Sequence, residues 1–254
     1  MPGSLRAVLR LFGVVGTTFW HFLRLVFAPR AYRTEPALQA KRVQEWAQAL
    51  CRVCGLRIQF GKGGPPPQGV VLVSNHRSYA DIFVLAATSP MLFLAKKELE
   101  GWPFFGRAAR MGGTVFVDRG NRQSGSQAMQ ALAERLRAGA NVAVFPEGTT
   151  YAAPGTGPFK SGSFRLAAAE RMPVIPVAME YERPEDAWTD PEDSSFASHF
   201  IACFSRPVVH VRLNVGPEMR SDDPELLRAQ ASEWITAHLE APTAEAEASA
   251  AVPA

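Results

Sequence analysis

The chain has 254 residues, a formal charge of +3 at neutral pH and 47% hydrophobic residues. That length holds one large domain or two small ones, and the composition excludes both a disordered chain and a polytopic membrane protein. Cys51, Cys54 and Cys203 are the only cysteines, too sparse and odd a set for a disulfide framework, and they fit a reducing compartment.

The first 34 residues contain Arg6, Arg10, Arg24, Arg30 and Arg33 and no acidic residue. The apolar run LFGVVGTTFWHFL between Arg10 and Arg24 is shorter than the roughly 20 residues a membrane span needs. A span would also bury arginines unless they snorkel, and VFAPRAY offers no convincing signal-peptidase site. The pattern favours an interfacial segment: Phe12, Phe19, Trp20, Phe22 and Phe27 enter the headgroup boundary while arginines meet lipid phosphates. Apolar Ala40, Val43, Ala47 and Leu50 then predict a helix over about Pro36 to Cys54. Residues 1–60 are thus read as amphipathic, membrane-associating helices. Cys51 and Cys54 lie on the second of them with no second pair nearby, so neither a zinc site nor redox chemistry is expected.

The turn-rich GKGGPPPQG at 61–69 opens the main domain, assigned to residues 61–240. Strand-like runs follow at 70–74, 91–95, 114–117, 141–145, 173–181 and 208–215. Helical patterns over 80–88, 103–111, 124–138 and 162–171 separate most of them. This alternation predicts an α/β fold with a central mixed, largely parallel sheet flanked by helices. Ligands of such sheets sit beyond the carboxyl ends of the strands, which is where NHRSYAD (75–81) and FPEGT (145–149) fall. Residues 182–200 read as a loop-rich cover. The low-complexity tail 241–254 reads as disordered.

His76 and Asp81 admit two readings. Ser78-x-x-Asp81 fits a helix capping box with Ser78 as N-cap. An acid in the first helical turn can also fold back on a histidine in the preceding loop, fixing its tautomer and leaving the other ring nitrogen free to take a proton. Four further stretches accompany the pair. GTVFVDR (113–119) ends on Asp118-Arg119, and FPEGT contains a glycine that lets a ligand approach the backbone. PFKSG (158–162) holds Lys160 in a glycine-bounded loop. VIPV (174–177) places a proline within a strand, tolerable at an edge or a bulge.

Together these residues resemble the PlsC-like glycerolipid acyltransferase family. NHRSYAD is similar to its NHxxxxD motif, GTVFVDR to its G-x-x-F-x-x-R motif, and FPEGT and VIPV to its third and fourth. The resemblance covers roughly residues 70–216. It implies acyl transfer from a coenzyme A or acyl-carrier-protein thioester to the hydroxyl of a lysolipid, most simply 1-acyl-glycerol-3-phosphate, with no cofactor, no metal and no nucleic acid involved. His76 is then the general base and Asp81 its orienting acid. Arg119, Glu147, Gly148, Thr149 and Lys160 bind the acceptor. The implied location is the cytoplasmic face of the cell membrane. One position departs from the pattern: many relatives carry arginine after FPEGT, whereas this chain has Thr150, as in a branch that includes lyso-ornithine lipid acyltransferases.

Overall fold

The computed structural model describes residues 2–102, 105–118, 120–152, 155–189 and 195–239. The 24-residue helix α1 (Gly3–Val26), the single turn α2 (Ala31–Thr34) and α3 (Pro36–Cys54) come first. Gly55 ends α3 at φ +73°, a left-handed cap that suits a residue without Cβ. The chain continues through β1 (Leu56–Lys62), β2 (Val71–Ser74), α4 (Asp81–Thr88), β3 (Met91–Lys96), a short 3-10 turn (Lys97–Gly101), α5 (Phe105–Met111) and β4 (Val115–Val117). Then follow α6 (Arg122–Arg137), β5 (Asn141–Val144), α7 (Gly162–Ala169), β6 (Val174–Tyr181), a second 3-10 turn (Pro184–Asp186), α8 (Phe196–Phe204), β7 (Val209–Val215) and α9 (Pro224–Ala237).

The seven strands form one sheet in the order β1-β7-β6-β2-β5-β3-β4. Every pairing is parallel except β6 with β7. The period-2 geometry of the strands sorts their side chains onto two buried faces. Leu72, Ala143, Ile175 and Met179 pack with α3, α4 and α8, through Cys51, Val84, Leu85, Phe200 and Phe204. Val71, Val73, Val142 and Val144 pack with α6, α7 and α9, through Leu132, Leu136, Phe164 and Ile235. The fold is therefore the expected helix–sheet–helix sandwich.

Three elements differ from the sequence reading. Leu56–Lys62 is an edge strand that crosses the boundary drawn at residue 60. The cover at 182–200 contains a helical start: Ser195 accepts the Ser198 N–H and opens α8. Asp223 caps α9, which the strand-and-helix alternation did not anticipate. The expected helix at 103–111 is described from Phe105 onward, and the tail 241–254 lies outside the described residues. Pro176 lies in a central strand but opposite a bulge. Val177 pairs with Val215 and Val174 with Met219, so the partner segment carries one extra residue.

The N-terminal arginines divide between two environments. Arg6 donates to the Ser205 carbonyl at 2.6 Å, and Arg10 reaches the carbonyls of Phe204, Arg206 and Pro207. Two guanidinium groups expected at lipid phosphates thus cap the C-terminal end of α8, where unpaired carbonyls concentrate negative charge. Arg24 pairs with Glu45 of α3, and Trp46 donates to Thr18. The opposite face of α1 presents Leu5, Leu9, Phe12, Val15 and Trp20 to solvent, followed by Phe27 at 82% exposure. No helix among the described residues is long and apolar enough to cross a membrane.

Replacing Arg6 and Arg10 together by alanine is expected to lower stability by about 2 kcal/mol, since their four partly exposed bonds are worth about 0.5 kcal/mol each after solvent screening. Limited proteolysis should then cut first around residues 196–208. An unchanged melting temperature and cleavage pattern would mean that these contacts contribute nothing to the fold.

Candidate active site

β6, β2 and β5 are adjacent and mutually parallel, so their carboxyl ends share one rim. Tyr181 ends β6, His76 follows β2 by two residues, and Glu147 follows β5 by three. The chain leaves β2 through Asn75, whose side chain acts as a surrogate peptide. Its amide donates to the Met179 carbonyl at 2.9 Å and accepts the Met179 N–H at 2.8 Å, pinning the loop to β6. His76 therefore begins from a fixed point.

The His76 ring is stacked on Phe145, with centroids 4.1 Å apart and planes 15° from parallel. Its Nδ1 lies 2.8 Å from Asp81 Oδ2. A carboxylate there accepts, so Nδ1 carries the proton and Nε2 is left as the basic nitrogen. The His76 side chain remains partly open, whereas Asp81 has no solvent exposure at all. Asp81 Oδ2 also accepts the N–H groups of Arg77 (2.6 Å) and Ser78 (2.9 Å), and Oδ1 accepts the Tyr181 hydroxyl at 2.7 Å. The capping-box expectation is met in part. Asp81 accepts the Ser78 N–H and Ser78 Oγ accepts the Ala80 N–H at 3.4 Å, but α4 starts only at Asp81 with Ala80 before it.

Glu147 is buried, and both of its oxygens are engaged. One accepts the His76 N–H at 2.6 Å and the other the Gly157 N–H at 2.8 Å. Burial pushes its carboxyl up from the usual range, and those two backbone N–H groups pull it back. The turn before it closes through Gly148 N–H to Phe145 O, with Pro146 inside the turn and Gly148 at φ +79°. Few side chains other than hydrogen tolerate that angle. Arg77 completes the clamp. Its guanidinium, only 3% exposed, donates to the carbonyls of Tyr151, Ala152 and Gly155, while Tyr151 N–H returns to His76 O.

The residues expected to bind the acceptor are placed unevenly. Gly148 and Glu147 adjoin His76 through this network, and Thr149 is exposed beside them. Lys160 is exposed, and its N–H joins the Pro146 carbonyl at 2.9 Å, so its loop runs against the FPEGT turn. Arg119 lies outside the described residues. Asn75, Arg77 and Tyr181 were not singled out from the sequence. The first two lie inside the motif and were legible by position, but nothing local marks Tyr181, 100 residues from Asp81.

Residues 59–180 match the family model described as Acyltransferase. A lyso-ornithine lipid O-acyltransferase of Pseudomonas aeruginosa is 33% identical over 199 residues, covering 75% of this chain and 76% of that one. The chain belongs to the acyltransferase family. A second family member, a 1-acyl-sn-glycerol-3-phosphate acyltransferase of Neisseria meningitidis, is 33% identical over 147 residues, and the match spans 58% of either chain. The crystal structure of PlsC from Thermotoga maritima, a 1-acyl-sn-glycerophosphate acyltransferase, has the same fold. Its TM-score is 0.66 at 19% identity, with 98% of this chain and 97% of that one covered. Within the acyltransferase match lie His76, Asp81, Glu147 and Lys160, and Tyr181 follows its last residue.

Glu147→Gln is expected to destabilise the protein by about 1–3 kcal/mol, because the amide NH2 must face one of two backbone N–H donors. Turnover should fall with it, while the KM of the acceptor stays near that of the parent. A raised acceptor KM at unchanged melting temperature would instead make Glu147 a direct acceptor contact.

Proposed function

We propose that this acyltransferase moves a fatty acyl group from a coenzyme A or acyl-carrier-protein thioester to the free hydroxyl of a lysolipid. The observation that carries the reading is the His76–Asp81 pair on the sheet's carboxyl rim, with Nδ1 engaged and Nε2 basic. In this mechanism Nε2 takes the proton of the acceptor hydroxyl as its oxygen attacks the thioester carbonyl. The tetrahedral intermediate expels the thiolate, which recovers the proton from the imidazolium, and ester and thiol leave. Asp81 holds the imidazolium by charge and by hydrogen bond. An acyl-enzyme is not needed, because a thioester is already activated. All three cysteines are buried, with the Cys51 and Cys54 thiols pushed up to about 12 by burial, which makes them poor nucleophiles.

The acceptor admits two readings. A glycerol phosphate headgroup suits the cations Arg119 and Lys160, and the Neisseria relative is named for that acceptor. Thr150 in place of a further cation favours the alternative, a lyso-ornithine lipid, the acceptor in the name of the Pseudomonas relative. We place the enzyme at a membrane surface, on the cytoplasmic face, because a lysolipid acceptor resides there and α1 turns Phe12, Trp20 and Phe27 outward.

The deciding experiment supplies purified protein with a labelled acyl thioester and either lysophosphatidic acid or lyso-ornithine lipid. Acylation of either one supports the reading and names the acceptor. Release of free fatty acid with neither lipid acylated would make the protein a thioesterase instead. His76→Ala should lower turnover about 10²–10⁴-fold at nearly unchanged stability, the contribution of general-base catalysis.

Phe12→Ser with Trp20→Ser is expected to weaken sedimentation with anionic vesicles by at least about 10-fold, since each aromatic contributes 1 kcal/mol or more of interfacial burial. Turnover on detergent-dispersed acceptor should be unchanged. Undiminished vesicle binding would remove α1 from the membrane contact.

A further inference from the structure

We propose that Tyr181 is a positioning residue of the acyl-transfer site, its phenol holding the Asp81 carboxylate in the plane and charge state that orient His76. This rests on His76 acting as the general base. Asp81 Oδ2 collects His76 Nδ1 and two backbone N–H groups, whereas Oδ1 accepts the Tyr181 hydroxyl at 2.7 Å. Without it a fully buried anionic oxygen would lose that donor, and the plane of the carboxylate would be held from the Oδ2 side alone. A tilt of that plane misaligns Oδ2 with Nδ1 and loosens the ring.

The two ends of this bond are anchored differently, which gives it a mechanical role. His76 and Asp81 sit in a loop and at the first residue of α4, while Tyr181 is the last residue of central strand β6 and pairs with Val211 of β7. Its ring lies on the same sheet face as Val84 and Leu85 of α4. The hydroxyl therefore ties the catalytic loop to a strand in the interior of the sheet. Burial, reinforced by the adjacent Asp81 charge, pushes the phenol's ionisation well above its usual range, so Tyr181 is a donor at every working pH.

Such a donor also sets how much negative charge the carboxylate presents to the imidazolium. A hydrogen bond to Oδ1 draws charge away from Oδ2, so removing it should favour protonated His76 and move the acidic limb of the pH–rate profile upward. Among the described residues, the groups around this pair include Glu147 at the His76 N–H, the Arg77 guanidinium beside Glu147 and the face of Phe145, all retained in the variants below.

The test compares Tyr181→Phe with 3,5-difluorotyrosine inserted at the same position, both as the full chain with thioester and lysolipid. For Tyr181→Phe, kcat should fall about 10-fold or more at little-changed KM, with the acidic limb of kcat/KM displaced upward. Difluorotyrosine is nearly isosteric and a stronger donor, so it should move the same limb downward, and this arm stands even if the phenylalanine variant does not fold. Opposite displacements establish the role. Limbs that stay in place in both, or a loss that follows melting temperature alone, would overturn it and reduce Tyr181 to packing. His76→Ala runs alongside. Retained activity there defeats the general-base reading itself, whereas an inactive His76→Ala with unmoved limbs defeats only the role of Tyr181.

Discussion

Asp81 carries a carboxylate without solvent contact, and four donors converge on it from two parts of the chain, the 76–78 loop and the end of β6. A buried charge of this kind is tolerable only when its lone pairs are occupied, and removing a single donor restores much of the desolvation penalty. Satisfying it dictates the path of residues 75–81, the start of α4 and the end of β6. The His76 ring is then the one partner in the set that can exchange a proton with a bound molecule. The site's chemistry follows from a packing requirement met by strands that were already adjacent.

The same logic extends one strand further. Glu147, beyond β5, binds the N–H of His76 and the N–H of Gly157, while Arg77 binds three carbonyls of the intervening loop. The NHRSYAD segment and the FPEGT turn with the loop after it are thereby cross-braced, an acid of FPEGT on the backbone of the first and a base from the first on the backbone of the loop at 151–155. Each brace is buried, so each is less screened than a surface ion pair. Thr149 and Lys160 are exposed at the rim of this frame.

What was legible in the sequence was mostly local. His76 and Asp81 could be paired because five residues and a helix start bring them together, and the six anticipated strands appear within a residue or so of their places. β1 was overlooked although Leu56, Ile58 and Phe60 alternate, because the glycine-rich run behind it drew the boundary forward. Glu147 was recognised as a site residue, but its partners are backbone N–H groups that no side-chain pattern reveals. Tyr181 was invisible for a different reason: its bond to Asp81 exists only once β6 lies beside β2. Arg6 and Arg10 looked like lipid-facing charges because their true partners, carbonyls at the end of α8, lie nearly 200 residues away.

The burial of the cysteines has a practical corollary. Cys51 and Cys54 lie buried in the last turn of α3 with thiols pushed up to about 12 by burial, and Cys203 is raised in the same way within α8. Disulfide exchange proceeds through the thiolate and requires access, and the folded chain offers neither. A chromogenic aromatic disulfide added to the native protein should therefore report only small-molecule thiol, and colour from the protein itself would mark unfolding. One reagent can thus follow turnover in one cuvette and denaturation in another.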